Sequence, residues 1–359
     1  MSPATVGRLI DRQLMLNVVK EGETAHVGSA GRPSIDLTFN QNIGSVITVD
    51  LRLTRSYAAM TNLSGQILAT STHDLTPNEP ETAVAQMIDQ IQELQAAQPA
   101  APPLKALVVG APSTVVSHSG IVELAPSLGW QNLPLGHMLQ EALHMPVLVE
   151  NDVNLAALGE FWRGAGQNCR HSLIFVSLGT GVGAGIILNG HLYRGASNAA
   201  GEAGFFIIDV DSVRDQATGL GDLESRIGRV GLLQYAALIA QKYPRSQLAN
   251  LLTQTEPVQI RQIFDLAFAG DPAALTVFNE VVDFLTVVVV NLSVVLDPEI
   301  VVLGGASNWQ WEALVTAVRQ RLGSNLPRPI NLRPSQLDNN AVILGGAYAA
   351  LYLENVLPT

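Results

Sequence analysis

The segment from Ser177 to Gly204 reads SLGTGVGAGIILNGHLYRGASNAAGEAG, with Gly179, Gly181, Gly183 and Gly185 at alternate positions. Glycines so spaced at a strand end strip side chains from one edge and let backbone N–H groups approach a bulky anion, typically a phosphate. The same spacing also serves a tight hairpin whose glycines only make room for packing. Asp152 follows Asn151 at the head of a helical pattern. A carboxylate in a first helical turn is favoured by the helix dipole and stays ionised, ready to take a proton from a bound hydroxyl. Alternatively it only stabilises the helix start. Glu202, flanked by Gly201 and Gly204, and Glu224, opening a helical stretch, are further acids that either meet a ligand or serve as surface charge.

These residues need a scaffold, and the pattern supplies one. Leu173 to Val176 and Ile186 to Leu188 are apolar runs on either side of the glycines, and Asn189-Gly190 is a hairpin turn. Asn151 is placed to cap a helix from Asp152 to Trp162, with Leu155, Ala156, Leu158 and Gly159 on its packed face. Upstream, Val46 to Leu51, Tyr57 to Asn62 and Gln66 to Ala69 form a strand meander. A helix over Glu81 to Gln95, a strand over Leu104 to Gly110, a helix over Leu135 to Leu143 and a strand over Val147 to Glu150 follow. The second half repeats this plan. Helices are expected over Leu223 to Lys242, Pro257 to Phe268 and Pro272 to Leu296, the last apolar enough to require burial. A strand over Ile300 to Leu303 ends in Gly304-Gly305, and helices over Trp311 to Leu322 and Ala341 to Leu353 close the chain, with Gly345-Gly346 marking close packing.

The first residues form a capped amphipathic helix, with Ser2 at the cap, Pro3 at the first position and Val6, Leu9, Ile10 and Leu14 at helical spacing. Val18 to Glu21 and Ile35 to Phe39 are strand-like pieces around the loop from Gly28 to Pro33. This is either half of a winged helix-turn-helix, with the helix as reader and the loop as wing, or a frayed helix and hairpin. Charge does not decide, since Arg8, Arg12, Lys20 and Arg32 are matched by Asp11, Glu21, Glu23 and Asp36.

With 359 residues, 47% hydrophobic and 14% charged, the chain can bury two sizeable cores. A formal net charge of −11 argues against a generally basic nucleic-acid surface but leaves room for a small reading head. The single cysteine, Cys169, excludes a disulfide framework and a Cys-rich zinc site and suits a reducing compartment. No leader-like or membrane-spanning apolar run stands out, so the expectation is a cytoplasmic protein without membrane partners.

Taken together the motifs resemble the ROK family of bacterial repressors and sugar kinases. The carriers are VENDVNLAALGE at Val149 to Glu160, LGTGVGAGIILNGHLYRG at Leu178 to Gly195, and AGEAG at Ala200 to Gly204. SPATVGRLID at Ser2 to Asp11 is similar to the recognition helix of the family's repressors, and GRPSIDLTFN at Gly31 to Asn40 to the wing and its exit. The resemblance implies the actin-like ATPase and hexokinase (ribonuclease H-like) fold, two α/β lobes closing over a cleft where sugar and nucleotide meet, preceded by a partial winged helix-turn-helix. It implies a head over residues 1–40, a first lobe over 41–150 plus 343–359 and a second over 151–342. Asn151 and Asp152 match a sugar-binding pair, with Asp152 the general base of kinase members, and Glu202, Glu224 and Ser127 match further sugar positions, Ser127 where Asn is common. Gly179, Thr180, Gly181 and Gly183 match a phosphate loop and Gly304 and Gly305 the adenosine side. Ser2, Thr5, Arg8 and Arg32 fall in the DNA-reading segment.

Two departures bear on activity. Kinases carry Asp-x-Gly-x-Thr on the first hairpin, whereas this chain has Asp50-Leu51-Arg52-Leu53-Thr54, so Arg52 fills the space that the glycine leaves open. The family's zinc ligands, a His and three Cys, are replaced by Phe205, Asp215, Ala217 and Asp222, so no tetrahedral nitrogen and sulfur site is expected. The resulting expectation is a sugar-responsive transcriptional regulator, a repressor, that binds a sugar or sugar phosphate and operator DNA as a homodimer or larger homo-oligomer, without cofactor. The competing readings are an ATP- and magnesium-dependent hexose kinase and a sugar-binding protein that does not bind DNA. The helices that precede the recognition helix in family repressors are expected to be missing from this chain.

Overall fold

The computed structural model describes residues 2–25, 34–213, 221–305, 310–323, 328–354 and 356–357. Contacts divide the chain into two compact units, Met1–Asp152 with Gly346–Thr359, and Val153–Gly345.

The first unit opens with helix α1 (Pro3–Met15), whose Ser2 cap accepts the Thr5 N–H as the sequence predicts, and continues into an antiparallel pair, β1 (Val19–Ala25) and β2 (Ser34–Phe39). No residue of α1 is buried, and Val6, Leu9 and Met15 stand exposed. The meander of β3 (Ser45–Leu51), β4 (Arg55–Asn62) and β5 (Ile67–Asp74) is followed by α2 (Pro80–Ala96) and β6 (Leu104–Ala111). Then comes a small antiparallel sheet that the sequence reading missed: β7 (Thr114–Val116), β8 (Ile121–Ala125) and β9 (Trp130–Leu133). Helix α3 (Leu135–Leu143) leads to β10 (Val147–Asn151). The main sheet has the order β10-β6-β3-β4-β5, with β6 and β10 parallel to β3. Its core gathers Ile47, Val49, Met87, Leu107, Val109 and Trp130.

The second unit carries most of α4 (Asp152–Arg163), then β11 (Leu173–Leu178), β12 (Val182–Leu188) and β13 (His191–Leu192). Asn189 and Gly190 both have positive φ, as a two-residue hairpin turn between β12 and β13 demands. Helices α5 (Asp222–Ile227) and α6 (Arg229–Lys242) replace the single helix expected from Leu223. Gly228, in extended conformation, ends one and caps the other. Next come α7 (Gln247–Leu252), which was not foreseen, α8 (Ile260–Phe268), shorter than expected, and α9 (Pro272–Leu296), capped by Asp271. β14 (Ile300–Gly305), α10 (Trp311–Leu322), β15 (Leu332–Pro334) and α11 (Ala341–Ala350) complete the chain, α11 stopping short of the expected Leu353. The sheet order is β13-β12-β11-β14-β15, with β14 parallel to β11 and β15 parallel to β14. Each sheet is thus an antiparallel meander extended by two parallel strands on the side of its first strand, the repeated plan read from the sequence.

Helix α9 is long and apolar enough to cross a membrane by length and composition, contrary to the sequence reading, and half of its most apolar window is buried. Ala274, Val277, Val281, Leu285, Val288 and Leu292 enter the second core. Its other side is not buried, again contrary to expectation: Val294 and Val295 are 64% and 79% exposed. An all-apolar stretch carries no record of which face it turns inward.

Candidate functional site

In open α/β sheets ligands gather outside the carboxyl ends of parallel strands. In the first unit those ends bring Asp50, Gly110 and Glu150 into one row and Asn151 beside Ala111. Asn151 Nδ2 donates to the Ser113 carbonyl at 3.1 Å. The buried Glu150 carboxylate accepts the Asn151 N–H at 3.0 Å and the Ser117 hydroxyl at 3.3 Å, fixing the strand end from which Asp152 starts α4. Ser127 lies in the turn between β8 and β9. Trp130 clamps that turn by donating Nε1–H to the Pro77 carbonyl at 2.5 Å.

Two hydroxyls here, Ser113 Oγ and Ser127 Oγ, are buried without a hydrogen-bond partner. An unsatisfied buried hydroxyl costs about 1–3 kcal/mol, so both positions carry a polar cost. The pairing of Thr114 with Leu124 places the start of β7, next to Ser113, alongside the strand that leads into the Ser127 turn. Ser113, Ser117 and Glu150 were not singled out from the sequence. The available signal was Gly110-Ala111-Pro112-Ser113 at the exit of a buried strand.

The first hairpin differs from an open phosphate loop. Arg52 turns back on its own strand, and its Nε and one terminal nitrogen each reach Asp50 Oδ2 at 2.8 Å. Its guanidinium also lies 5.6 Å from the centroid of the Tyr57 ring. Burial pushes the Asp50 carboxyl above its ordinary value, and the Arg52 charge and hydrogen bond work against that rise. The Asp50 carboxylate is therefore engaged by a resident cation, and Arg52 stands at the position where a glycine would leave the hairpin open.

In the second unit the turn Gly179-Thr180-Gly181 joins β11 to β12, closed by a Gly179 N–H to Gly181 carbonyl bond of 3.0 Å. Parallel pairing sets Ser177 and Leu178 opposite Gly304 and Gly305, so the candidate nucleotide glycines share one strand-end edge. Gly305 has φ +123° and lies so close to Leu178 that no side chain fits. Thr180 is exposed, and its carbonyl accepts the Arg229 N–H. The other glycines make room for neighbours. A Cβ on Gly183 would press on Val153, and one on Gly185 would collide with Ala157. Both glycines make room for α4.

Gly181 and Gly204 serve Glu224. A Cβ on either would sit 2.7 and 2.9 Å, respectively, from Glu224 Oε2, an oxygen that accepts the Val182 N–H at 3.2 Å. Glu202, half-buried, is pushed above the ordinary carboxylate value by burial and then by the charge of Glu224. The charge of Glu224 is thus felt at Glu202.

Of the four positions that the resemblance suggests for zinc, the two described ones offer no free ligand. Phe205 offers only hydrocarbon and is 64% exposed, while the Asp222 carboxylate is committed to protein donors. Asp215 and Ala217 lie outside the described residues. Among the described residues no group of three or more His, Cys, Asp and Glu side chains could hold a metal.

In the N-terminal segment, the hydroxyls of Ser2 and Thr5 bond to each other at 2.9 Å, and Arg8 is exposed on α1. The expected wing, with Arg32, lies outside the described residues.

Comparison with known proteins sets this geometry in context. The ROK family model matches residues 46–352. The xylose repressor of Caldicellulosiruptor bescii is 27% identical over 96% of this chain and 87% of its own length. The glucokinase of Halalkalibacterium halodurans is 32% identical over 69% of this chain and 76% of its own. A crystal structure of a ROK family transcriptional regulator, a homologue of the E. coli MLC protein, superposes with a TM-score of 0.83 over 98% of this chain and 89% of that one. At 24% identity that likeness speaks for the fold. The chain belongs to the ROK family and has its two-lobed, actin-like α/β fold.

Proposed function

We propose that this protein is a sugar-responsive transcriptional regulator of carbohydrate metabolism, a repressor, that binds a sugar or sugar phosphate through Asn151, Asp152, Ser127, Glu202 and Glu224. The observation that carries the reading against a kinase is the Arg52 guanidinium on Asp50 Oδ2. The repressor relative supports it too, since its likeness covers 96% of the chain and so takes in most of the segment ahead of residue 46. Carboxylates and amides pair sugar hydroxyls bidentately and penalise an analogue that lacks one. Where the full reading head is present, DNA is read through α1, β1 and β2 by Ser2, Thr5, Arg8 and Arg32, in a cytoplasmic homodimer or larger homo-oligomer. A bound sugar changes DNA affinity only by as much as it distinguishes the DNA-binding state from the other.

A second reading, an ATP-dependent hexose kinase with Asp152 as general base, draws on the shared edge of Gly179–Gly181 and Gly304-Gly305. The test is capture of genomic DNA fragments on immobilised protein, followed by elution with D-xylose or D-glucose. Asp152→Asn should keep capture and lose elution, with sugar affinity falling about 10–100-fold for one lost charge-assisted contact. Elution from the variant as from the wild type would remove Asp152 from the sensor site.

A further inference from the structure

Helix α5 has six residues, too few to be stable by propensity, so its placement depends on tertiary anchors. Leu223 and Ile227 supply the apolar ones, both fully buried in the second core. The polar anchor is Asp222, whose side chain is 11% exposed. Its Oδ2 accepts the N–H groups of Ile208 at 2.9 Å and Asp209 at 3.3 Å, and its Oδ1 accepts the Ser212 hydroxyl at 2.9 Å. Arg226, one turn on, closes the knot with Nε 3.6 Å from Asp222 and a terminal nitrogen 3.8 Å from Asp209. Beside it the Leu223 N–H bonds the Phe206 carbonyl at 3.2 Å, and Gly221 lies against the Gly204 backbone with no room for a side chain. Glu224 sits in the same short turn, and its Oε2 reaches the Val182 N–H.

We propose that Asp222 is the positioning residue of Glu224: its carboxylate ties Ile208, Asp209 and Ser212 to the first turn of α5 and thereby sets the Glu224 carboxylate on the glycine hairpin. A side-chain anion with three protein donors does here the fastening that His and Cys ligands would need a zinc ion to do. Burial raises the Asp222 carboxyl, but the Ile208 N–H, the Ser212 hydroxyl, the Asp209 N–H and Arg226 together hold it below its ordinary value, as a committed acceptor requires. That Glu224 binds sugar rests on the function proposed above; the knot itself does not.

Hydrogen exchange in the sugar-free protein tests it. Asp222→Asn should speed exchange at the Ile208 and Asp209 amides and, through Glu224, at the Val182 amide, by about tenfold for one weakened charge-assisted bond. Ser212→Ala, which removes one donor and leaves the carboxylate, should give a weaker form of the same pattern and carries the test if Asp222→Asn does not fold. In a Glu224→Ala background Asp222→Asn should still open residues 208 and 209 but add nothing at Val182. EDTA should leave wild-type exchange unchanged. Unaltered protection at Val182 in both Asp222→Asn and Ser212→Ala would overturn the positioning role, and acceleration by EDTA alone would show that a metal holds the segment. Failure of the sugar reading would appear separately, as a wild-type protein that binds no sugar.

Discussion

At the scale of single residues the informative groups are those whose charge is costly. Glu202 has a raised carboxyl because it is partly desolvated and feels the charge of Glu224. The folded state therefore binds that proton more tightly than the unfolded chain. Its stabilising contribution is complete below the ordinary carboxylate value and is lost as pH rises through the raised folded value. Glu202→Gln should melt higher than wild type at neutral pH and converge with it in acid; a melting temperature that does not rise would show that the acid pair carries no cost. The Asp50 carboxyl is raised as well, but there the neighbouring charge, Arg52, opposes the rise. Arg52→Ala strands a buried carboxylate, so the loss of stability should be large at neutral pH and fade in acid once Asp50 is protonated, as melting curves across pH would record. A pH-independent loss would mean that Arg52 acts through packing on Tyr57 instead.

At the scale of elements, helices α4 and α11 cross on glycines. A Cβ on Gly345 would strike the Leu155 carbonyl, and one on Gly159 the Ala341 carbonyl. Gly345→Ala should cost about 1–3 kcal/mol in denaturant unfolding through forced separation of the two helices, and wild-type stability would contradict the crossing. The sequence marked Gly345-Gly346 as a site of close packing but could not name the partner, because that partner lies far away in the chain. Helix bounds were legible to the residue in α3, α9 and α10, although the all-apolar α9 did not disclose its buried face. The small sheet of β7 to β9 was not, since three to five residues are too few to register alternation. α5 and α6 merged in the sequence reading because Gly228 is tolerated inside a helical pattern and only its extended conformation reveals the break. The glycine hairpin was legible as a shape. Its chemistry was ambiguous because Gly183 and Gly185 answer to α4, and Gly181 to a carboxylate 43 residues further along the chain than itself, counting from 181 to 224.

At the scale of the whole molecule, two units of like topology each carry their own core, and the family motifs were readable because they sit at strand ends where the plan repeats. Long-range polar fastenings were not readable. The buried Glu160 on α4 holds the loop after β15 through the Ser335 hydroxyl at 2.6 Å and the Gln336 and Leu337 N–H groups at 3.0 Å each, a pairing that no spacing announces. The central claim is that this molecule senses a sugar and does not phosphorylate it. The most direct measurement is a thermal-shift titration with D-xylose, D-glucose and N-acetyl-D-glucosamine in the presence of MgATP, with ADP release followed in the same samples. A sugar at about 100 times its Kd should stabilise the protein by about 2.7 kcal/mol while ADP stays at the sugar-free level. Sugar-dependent ADP release would contradict the account and make the protein a kinase that tolerates Arg52.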